Sequence, residues 1–189
     1  MTKVVLLGGN GYIGRQVMRE WLKRDDKLIC YVVARSEAKE AFDARVHYIQ
    51  ADVADVVLLK EALPDRVDYI VDFVGRPEAN PKRFRELNDL PAQTMLELAQ
   101  LKQAKAMGFI GGRLGPKSFI QGKKRIIEAL STSGIRLEVV EPTIVYGEDR
   151  KDLMAKLVPL LQVLGRVFKS VSPVYVGDVA QELVDKLIG

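Results

Sequence analysis

The chain has 189 residues, of which 48% are hydrophobic and 29% charged, a balance that supports one globular domain with a sizeable core and excludes a disordered polymer. No stretch approaches the roughly eighteen uninterrupted apolar residues that cross a bilayer, and the apolar run after Met1 meets Gly8 and Gly9 before it forms a signal-peptide core, so a soluble cytoplasmic protein without a membrane partner is expected. Lys plus Arg (29) against Asp plus Glu (25) leaves a net charge of +4, which suits an anionic ligand, and the single cysteine, Cys30, excludes an internal disulfide.

Apolar, β-branched runs alternate with amphipathic segments from one end to the other, with no internal repeat and no linker. Strands are expected at 3–7, 28–34, 46–50, 69–74, 106–110, 136–140 and 173–176, and helices at 12–23, 56–63, 91–103, 117–130, 151–164 and 179–187. Such alternation predicts an α/β fold, a three-layer doubly wound parallel sheet joined by right-handed crossovers. In the first helix Ile13, Val17 and Trp21 recur at every fourth position, so they share a face turned to the sheet, and Trp21 reads as core. Cys30, in mid-strand, reads as a buried apolar residue. His47, the only histidine, has no partner at a telling spacing, so neither a catalytic triad nor a metal site is expected. The helix at 151–164 contains Pro159 and is expected to kink there, its leucines covering a substrate or a partner chain.

Position gives the glycines between the first strand and first helix their meaning. The stretch Gly8-Gly9-Asn10-Gly11-Tyr12-Ile13-Gly14-Arg15 places glycine at every third position where the chain turns from strand to helix. Glycine there permits a tight turn and lets backbone approach a pyrophosphate, while the helix N-terminus presents free N–H groups to it.

With its Gly8-x-x-Gly11-x-x-Gly14 spacing, this turn resembles that of the short-chain dehydrogenase/reductase superfamily in its extended and atypical branches, which include NmrA-like proteins and nucleotide-sugar epimerases. The match runs from Gly8 onward and departs at Leu7, where the family has Thr. The resemblance implies a single NAD(P)-binding Rossmann domain over residues 1–189. The second strand bears on the choice of cofactor. A carboxylate about twenty residues after the turn would hold the ribose 2′-OH of NAD, yet the strand ends Val33-Ala34-Arg35-Ser36. Arg35, with Arg15 as a second charge, suits a 2′-phosphate, so NADP(H) is expected in preference to NAD(H), although Glu37 stands nearby and Arg35 also reads as a solvated strand end.

The same resemblance places Asp52 and Val53 beside the adenine, Asp52 being equally a loop residue or helix cap. It places Phe73, Val74 and Gly75 along the cofactor edge and makes Asn88 structural. The family's Tyr-x-x-x-Lys helix corresponds to Phe119 through Lys123, and its catalytic serine to a strand end that here reads Ile110-Gly111-Gly112. Phe119 has no proton to give. Lys123 is the remaining catalytic candidate, and it retains a donor for the ribose hydroxyls. It also reads as an exposed helix lysine, with Lys124 one residue away in the assignment. Ser118 lies about a hundred degrees round the helix from Phe119, and Tyr12 or Tyr146 is a further source of a hydroxyl. Pro142, Thr143 and Ile144 follow Glu141, which replaces the family's Arg, and correspond to the nicotinamide carboxamide site. Asp178 is expected to cap the last helix.

Two functions follow: NADP(H)-dependent hydride transfer to a small flavin, quinone or carbonyl acceptor, or a non-catalytic redox sensor resembling NmrA that signals to a protein partner. The basic stretch from Arg113 to Arg125 has no aromatic platform, so no nucleic acid is expected. The last matching motif ends at Ala180, and the expectation is a reduced substrate lobe and an open cleft above the cofactor.

Overall fold

The structure, a computed structural model, describes residues 1–38, 43–147 and 172–189. Strands β1 (Lys3–Leu7), β2 (Ile29–Ala34), β3 (Val46–Gln50), β4 (Tyr69–Asp72), β5 (Ala106–Ile110) and β6 (Arg136–Val140) pair in parallel in the order β3-β2-β1-β4-β5-β6. The order reverses between β1 and β4, whose register sets Leu7 opposite Asp72. A crevice opens at the carboxyl ends of the strands at such a reversal, because the flanking crossovers leave in opposite directions.

Alternation along each strand feeds two separate cores, one on each face of the sheet. Val4 and Leu6 meet α1 (Tyr12–Arg24) and the C-terminal helix α6 (Val176–Ile188), with Trp21 only 1% exposed and its ring 5.3 Å from that of Tyr69. Val5 and Leu7 face α2 (Val56–Ala62), α4 (Leu90–Leu101) and α5 (Lys117–Ser131). Cys30 is buried, and desolvation pushes its thiol up to about 12, so it stays a protonated, unreactive group. The His47 ring stacks on Tyr31 with centroids 5.2 Å apart. Among the described residues no group of His, Cys, Asp and Glu could hold a metal, and no helix is long and apolar enough to cross a membrane.

The structure departs from the expected elements in four places beyond one- or two-residue differences at helix ends. First, β2 begins at Ile29, one residue late, and β4 ends at Asp72, two residues early. Second, the expected strand at 173–176 shrinks to β8 (Val174–Tyr175), which leaves the main sheet and pairs with β7 (Val145–Tyr146). It is cut short because α6 starts at Val176 and not at 179. Asp178 therefore sits inside the first turn of α6, where a carboxylate meets the positive helix end, and Tyr175 holds the cap position. Third, the helix expected from 91 begins ten residues earlier, with α3 (Pro81–Phe84) and a π-helical turn (Arg85–Asp89) leading into α4. Leu90 N–H bonds to the Arg85 carbonyl five residues back, and this wider turn admits Pro91, which has no N–H to give. Fourth, Asp52 does not cap α2: its carboxylate accepts the Ala54 N–H in a local turn, while Asp55 accepts from Leu58 and is the cap. The helix expected at 151–164 lies outside the described residues.

Candidate functional site

The glycine turn is held as a cradle of backbone. Gly8, at φ +74°, donates to the Val33 carbonyl of β2 at 2.8 Å, and Gly11 donates to Gly8 O at 2.9 Å. A Cβ on Gly14 would stand 2.6 Å from Gly9 Cα, so the helix start rests directly on the turn. On the open side, a Cβ on Gly11 would have only Gly8 O nearby, at 3.1 Å. No side chain caps the N-terminus of α1 and no carboxylate lies in its first turn, so the positive end of the helix suits an anion.

Asn10 fastens this cradle to the end of β2. It is 6% exposed, and its Nδ2 donates to Ser36 Oγ at 2.8 Å and to the Glu37 carbonyl at 3.0 Å. Arg15 donates to the Asn10 carbonyl at 2.8 Å, so this guanidinium braces the turn. Arg35 is exposed one residue before Ser36, and its carbonyl accepts from Gln50. Val53 is buried beneath the adjoining loop, and Val74 reaches Gly8, where a Cβ would stand 2.8 Å from its Cγ2.

Across the crevice, Lys123 is buried, at 4% exposed, whereas Lys124 is exposed. The exposed-lysine alternative for Lys123 is thereby overturned: the turn of α5 carries residue 123 inward, and Gly122 beside it lets the helix close on Phe84. The Lys123 ammonium lies 4.4 Å from the centre of the Phe109 ring and 6.0 Å from that of Phe119. Burial lowers its pKa, against the opposing attraction of Asp72 and Asp89. Phe119 packs over Gly112 and Gly115 and, in a T-shaped contact, against Phe84. Ser118 is exposed while Phe119 is buried, so the two occupy different faces. The basic stretch is also divided: Arg125 pairs both Asp89 oxygens at 2.9 Å, and Lys123 is withdrawn from solvent.

The Gly122 contact carries a stability prediction. Its Cβ would fall 2.2 Å from Phe84 Cζ, so Gly122→Ala must displace that ring. A loss of about 1–2 kcal/mol in urea unfolding is expected, the overpacking cost less the helical preference for alanine. Unchanged stability would show that Phe84 does not hold α5 in place.

Asp72 is the residue that sequence reasoning missed. It ends β4 at 1% exposure, with Oδ1 accepting the Val74 N–H at 2.8 Å and Oδ2 lacking a hydrogen bond among the described residues. Burial pushes its carboxyl up to about 7, against the attraction of Lys123. The signal was available in the alternation of Tyr69-Ile70-Val71-Asp72, which puts the carboxylate on the same face as Ile70. Asn88, fully buried, donates to the Arg76 and Phe84 carbonyls.

At the far end, Pro142 is buried and its carbonyl accepts from Arg113 N–H, Thr143 Oγ1 bonds the Ser172 carbonyl, and Ile144 O accepts from Val174. A cavity of about 420 Å³ lies beside them, lined among others by Arg113, Glu141, Thr143 and Lys186. Glu141 also covers Gly111, its Cγ 2.7 Å from where a Cβ would be. Tyr12 directs its hydroxyl beneath Gly147, 2.6 Å from that glycine's Cβ position, and the Tyr146 ring meets Tyr175 edge to face. Tyr12 thus packs beside the β7–β8 pair and the start of α6, and Tyr146 within that pair.

The sequence model described as the NAD dependent epimerase/dehydratase family matches residues 4–154. A UDP-glucose 4-epimerase of Lactobacillus helveticus is 29% identical over 74 residues, a match that covers 39% of this chain and only 22% of that protein's length. The fold superimposes on the Bordetella bronchiseptica enzyme WbmH, solved in complex with NAD+, with a TM-score of 0.77 and 16% identity, over 100% of this chain and 73% of that one. The UDP-glucose 4-epimerase of Thermus thermophilus, in complex with NAD, gives a TM-score of 0.73 at 18% identity, over 100% and 75%. A Tyr-to-Phe variant of ElxO with NADPH bound gives 0.72 at 19% identity, over 95% of this chain and 88% of that one.

Proposed function

Because this chain belongs to the NAD dependent epimerase/dehydratase family, we propose that it binds a nicotinamide dinucleotide, NADP(H) in preference to NAD(H), and passes hydride to a small flavin, quinone or carbonyl acceptor. The observation that carries the reading is the bare backbone cradle of Gly8, Gly11 and Gly14 at the point where strand order reverses. Neighbours of the same fold solved with NAD or with NADPH support the cofactor class.

The residues present fit such a group. Ile13 and Gly14 would receive the pyrophosphate on N–H groups, with Gly8, Gly11 and Tyr12 forming the turn beneath it, Asn10 keeps the β2 end in place, and Arg35 would meet a 2′-phosphate. Asp52, Val53 and Val74 would border its adenosine half. Gly75 and Lys123 would hold its nicotinamide half, with Pro142, Thr143 and Ile144 beyond. When bound, the dinucleotide supplies or accepts an electron pair as hydride. The chain contributes orientation and a charged donor, because Phe119 and Gly111 carry no hydroxyl. Acceptors whose final proton comes from another source are therefore favoured, and the exposed loop at Gly112–Gly115 leaves them an open approach.

Fluorescence titration with NADPH and NADH tests the preference. Arg35→Ser should weaken NADPH by roughly tenfold or more, the worth of a charge-assisted hydrogen bond, and leave NADH unchanged. Equal affinities in the wild-type chain would remove the NADP(H) assignment. Turnover is then read as NADPH oxidation with flavins, quinones and carbonyls. Binding without oxidation by any of them would favour the second reading, a redox sensor whose affinity for a protein partner depends on the dinucleotide, which Phe119 and Gly111 independently support.

A further inference from the structure

The cavity at the carboxyl end of β6 holds two opposite charges without partners. Its volume of about 420 Å³ is that of a small-molecule site, and the charged groups lining it are Arg113, Glu141, Glu182 and Lys186. Lys186 Nζ donates to Glu182 Oε1 at 2.7 Å and to the Val139 carbonyl at 2.9 Å, so these two charges neutralise each other on α6. Arg113 and Glu141 remain as one cation and one anion, neither with a side-chain hydrogen bond or ion pair among the described residues. Backbone fixes where they stand. Gly111 N–H donates to the Val140 carbonyl at 2.9 Å and Arg113 N–H to the Pro142 carbonyl at 3.4 Å, which fastens the loop after β5 alongside the residues after β6. The half-buried Glu141 side chain lies across Gly111, its Cγ 2.7 Å and its Oε1 3.3 Å from where a Cβ would be. It takes up the room that a side chain on Gly111 would need, at the strand end that corresponds to the family's serine, and it directly precedes Pro142, Thr143 and Ile144.

A small molecule that satisfies both groups must itself carry a positive and a negative end. Resting on the hydride-transfer reading above, we propose that this cavity receives a zwitterionic acceptor, an imino acid, whose iminium nitrogen pairs with Glu141 and whose carboxylate pairs with Arg113. The missing phenol and serine hydroxyl agree with such an acceptor. A carbonyl oxygen becomes an alkoxide as its carbon takes hydride, so it needs an acid at hand, whereas an iminium is cationic from the start. Hydride forms a C–H bond at the iminium carbon, the C=N π pair withdraws onto nitrogen as a lone pair, and a neutral amine results. The acceptor is reduced by two electrons, the dinucleotide is oxidised, and no proton comes from the protein; water afterwards protonates the amine. Glu141 keeps the acceptor in its cationic, reactive form. The arginine that the family carries at this position would repel the same nitrogen, so the exchange of Arg for Glu sets the specificity.

Calorimetric titration of the full chain tests the ligand class with L-proline, the saturated counterpart of a cyclic imino acid. The controls are cyclopentanecarboxylate, which lacks the nitrogen, and pyrrolidine, which lacks the carboxylate. L-Proline should bind more tightly than either by roughly tenfold or more, the worth of one charge-assisted contact. Glu141→Gln should remove that margin over cyclopentanecarboxylate, and Arg113→Ala the margin over pyrrolidine. In turnover, NADPH oxidation should run roughly tenfold faster or more with the cyclic imino acid derived from proline than with pyruvate, and Glu141→Gln should erase the preference. Proline binding no tighter than either control, or a Glu141→Gln chain that binds proline as the wild type does, would overturn the proposal. The comparison of the three probes on the wild-type chain decides even where a substitution unfolds the protein. Failure of the underlying reading looks different. A chain that selects proline among the probes yet oxidises no NADPH with any acceptor keeps the site and loses the reaction, whereas one that oxidises NADPH with quinones but does not distinguish the probes keeps the reaction and loses the site.

Discussion

Asp72→Asn is expected to abolish a loss of stability that the wild-type chain suffers between mildly acidic and neutral pH. The folded protein holds the Asp72 proton up to about 7, against a usual value of 3.8, because the carboxyl is buried beside β1 and β5. A raised carboxyl pKa contributes stability that is fully present below the unfolded value and is lost as pH rises through the folded one. Three pH units correspond to about 4 kcal/mol, a large part of the net stability of a domain of this size. Asparagine keeps an oxygen for the Val74 N–H but has no proton to lose. Urea unfolding at about pH 4.5, 6 and 7.5 should therefore show a falling curve for the wild type and a flatter one for the variant. Parallel curves would mean that Asp72 is ionised at all three values, with Lys123 fully compensating its burial.

Gly14→Val is expected to damage fold and cofactor binding together. The added atoms would meet Gly9 Cα at 2.6 Å and its carbonyl oxygen at 2.7 Å, both backbone, so no rotamer change relieves the collision. Overpacking of this kind costs about 1–3 kcal/mol, and here it also tilts the first turn of α1 away from the cradle. A dinucleotide affinity lower by roughly a hundredfold is expected, read by the same fluorescence titration. Gly11→Ala separates the two effects. Its Cβ meets only Gly8 O, at 3.1 Å, and otherwise points into the open cradle, so stability should hold within about 1 kcal/mol while binding falls. A Gly14→Val chain that binds NADPH normally would show that helix and turn can part without cost to the site.

Local chemistry was enough to place much of this site. The spacing Gly8-x-x-Gly11-x-x-Gly14 between an apolar run and an amphipathic one specifies a backbone cradle, because only glycine tolerates the φ at Gly8 and the approach of Gly14 to Gly9. Alternating apolar runs likewise placed all six strands of the sheet within two residues at every end. Phe119, Gly111 and Gly112 announced missing hydroxyls by identity alone. Boundaries that depend on partners were less legible. Tyr175 ends a strand because it pairs with Tyr146 and precedes the start of α6, and the π turn before Pro91 joins two helical segments that a proline would ordinarily divide.

What the sequence by itself determined is therefore the layered α/β frame, the glycine cradle and the absence of the phenol, since each follows from a residue's own conformational range or functional group. What only the tertiary structure decided is the electrostatics. Whether Lys123 or Lys124 enters the core depends on how α5 rolls against Phe84 and Phe109, and Asp72 matters only because β5 and α5 bring Phe109 and Lys123 to it from 37 and 51 residues away along the chain. A carboxylate's burial and its distance from an ammonium are properties of packing, and neighbouring residues in the sequence do not encode them.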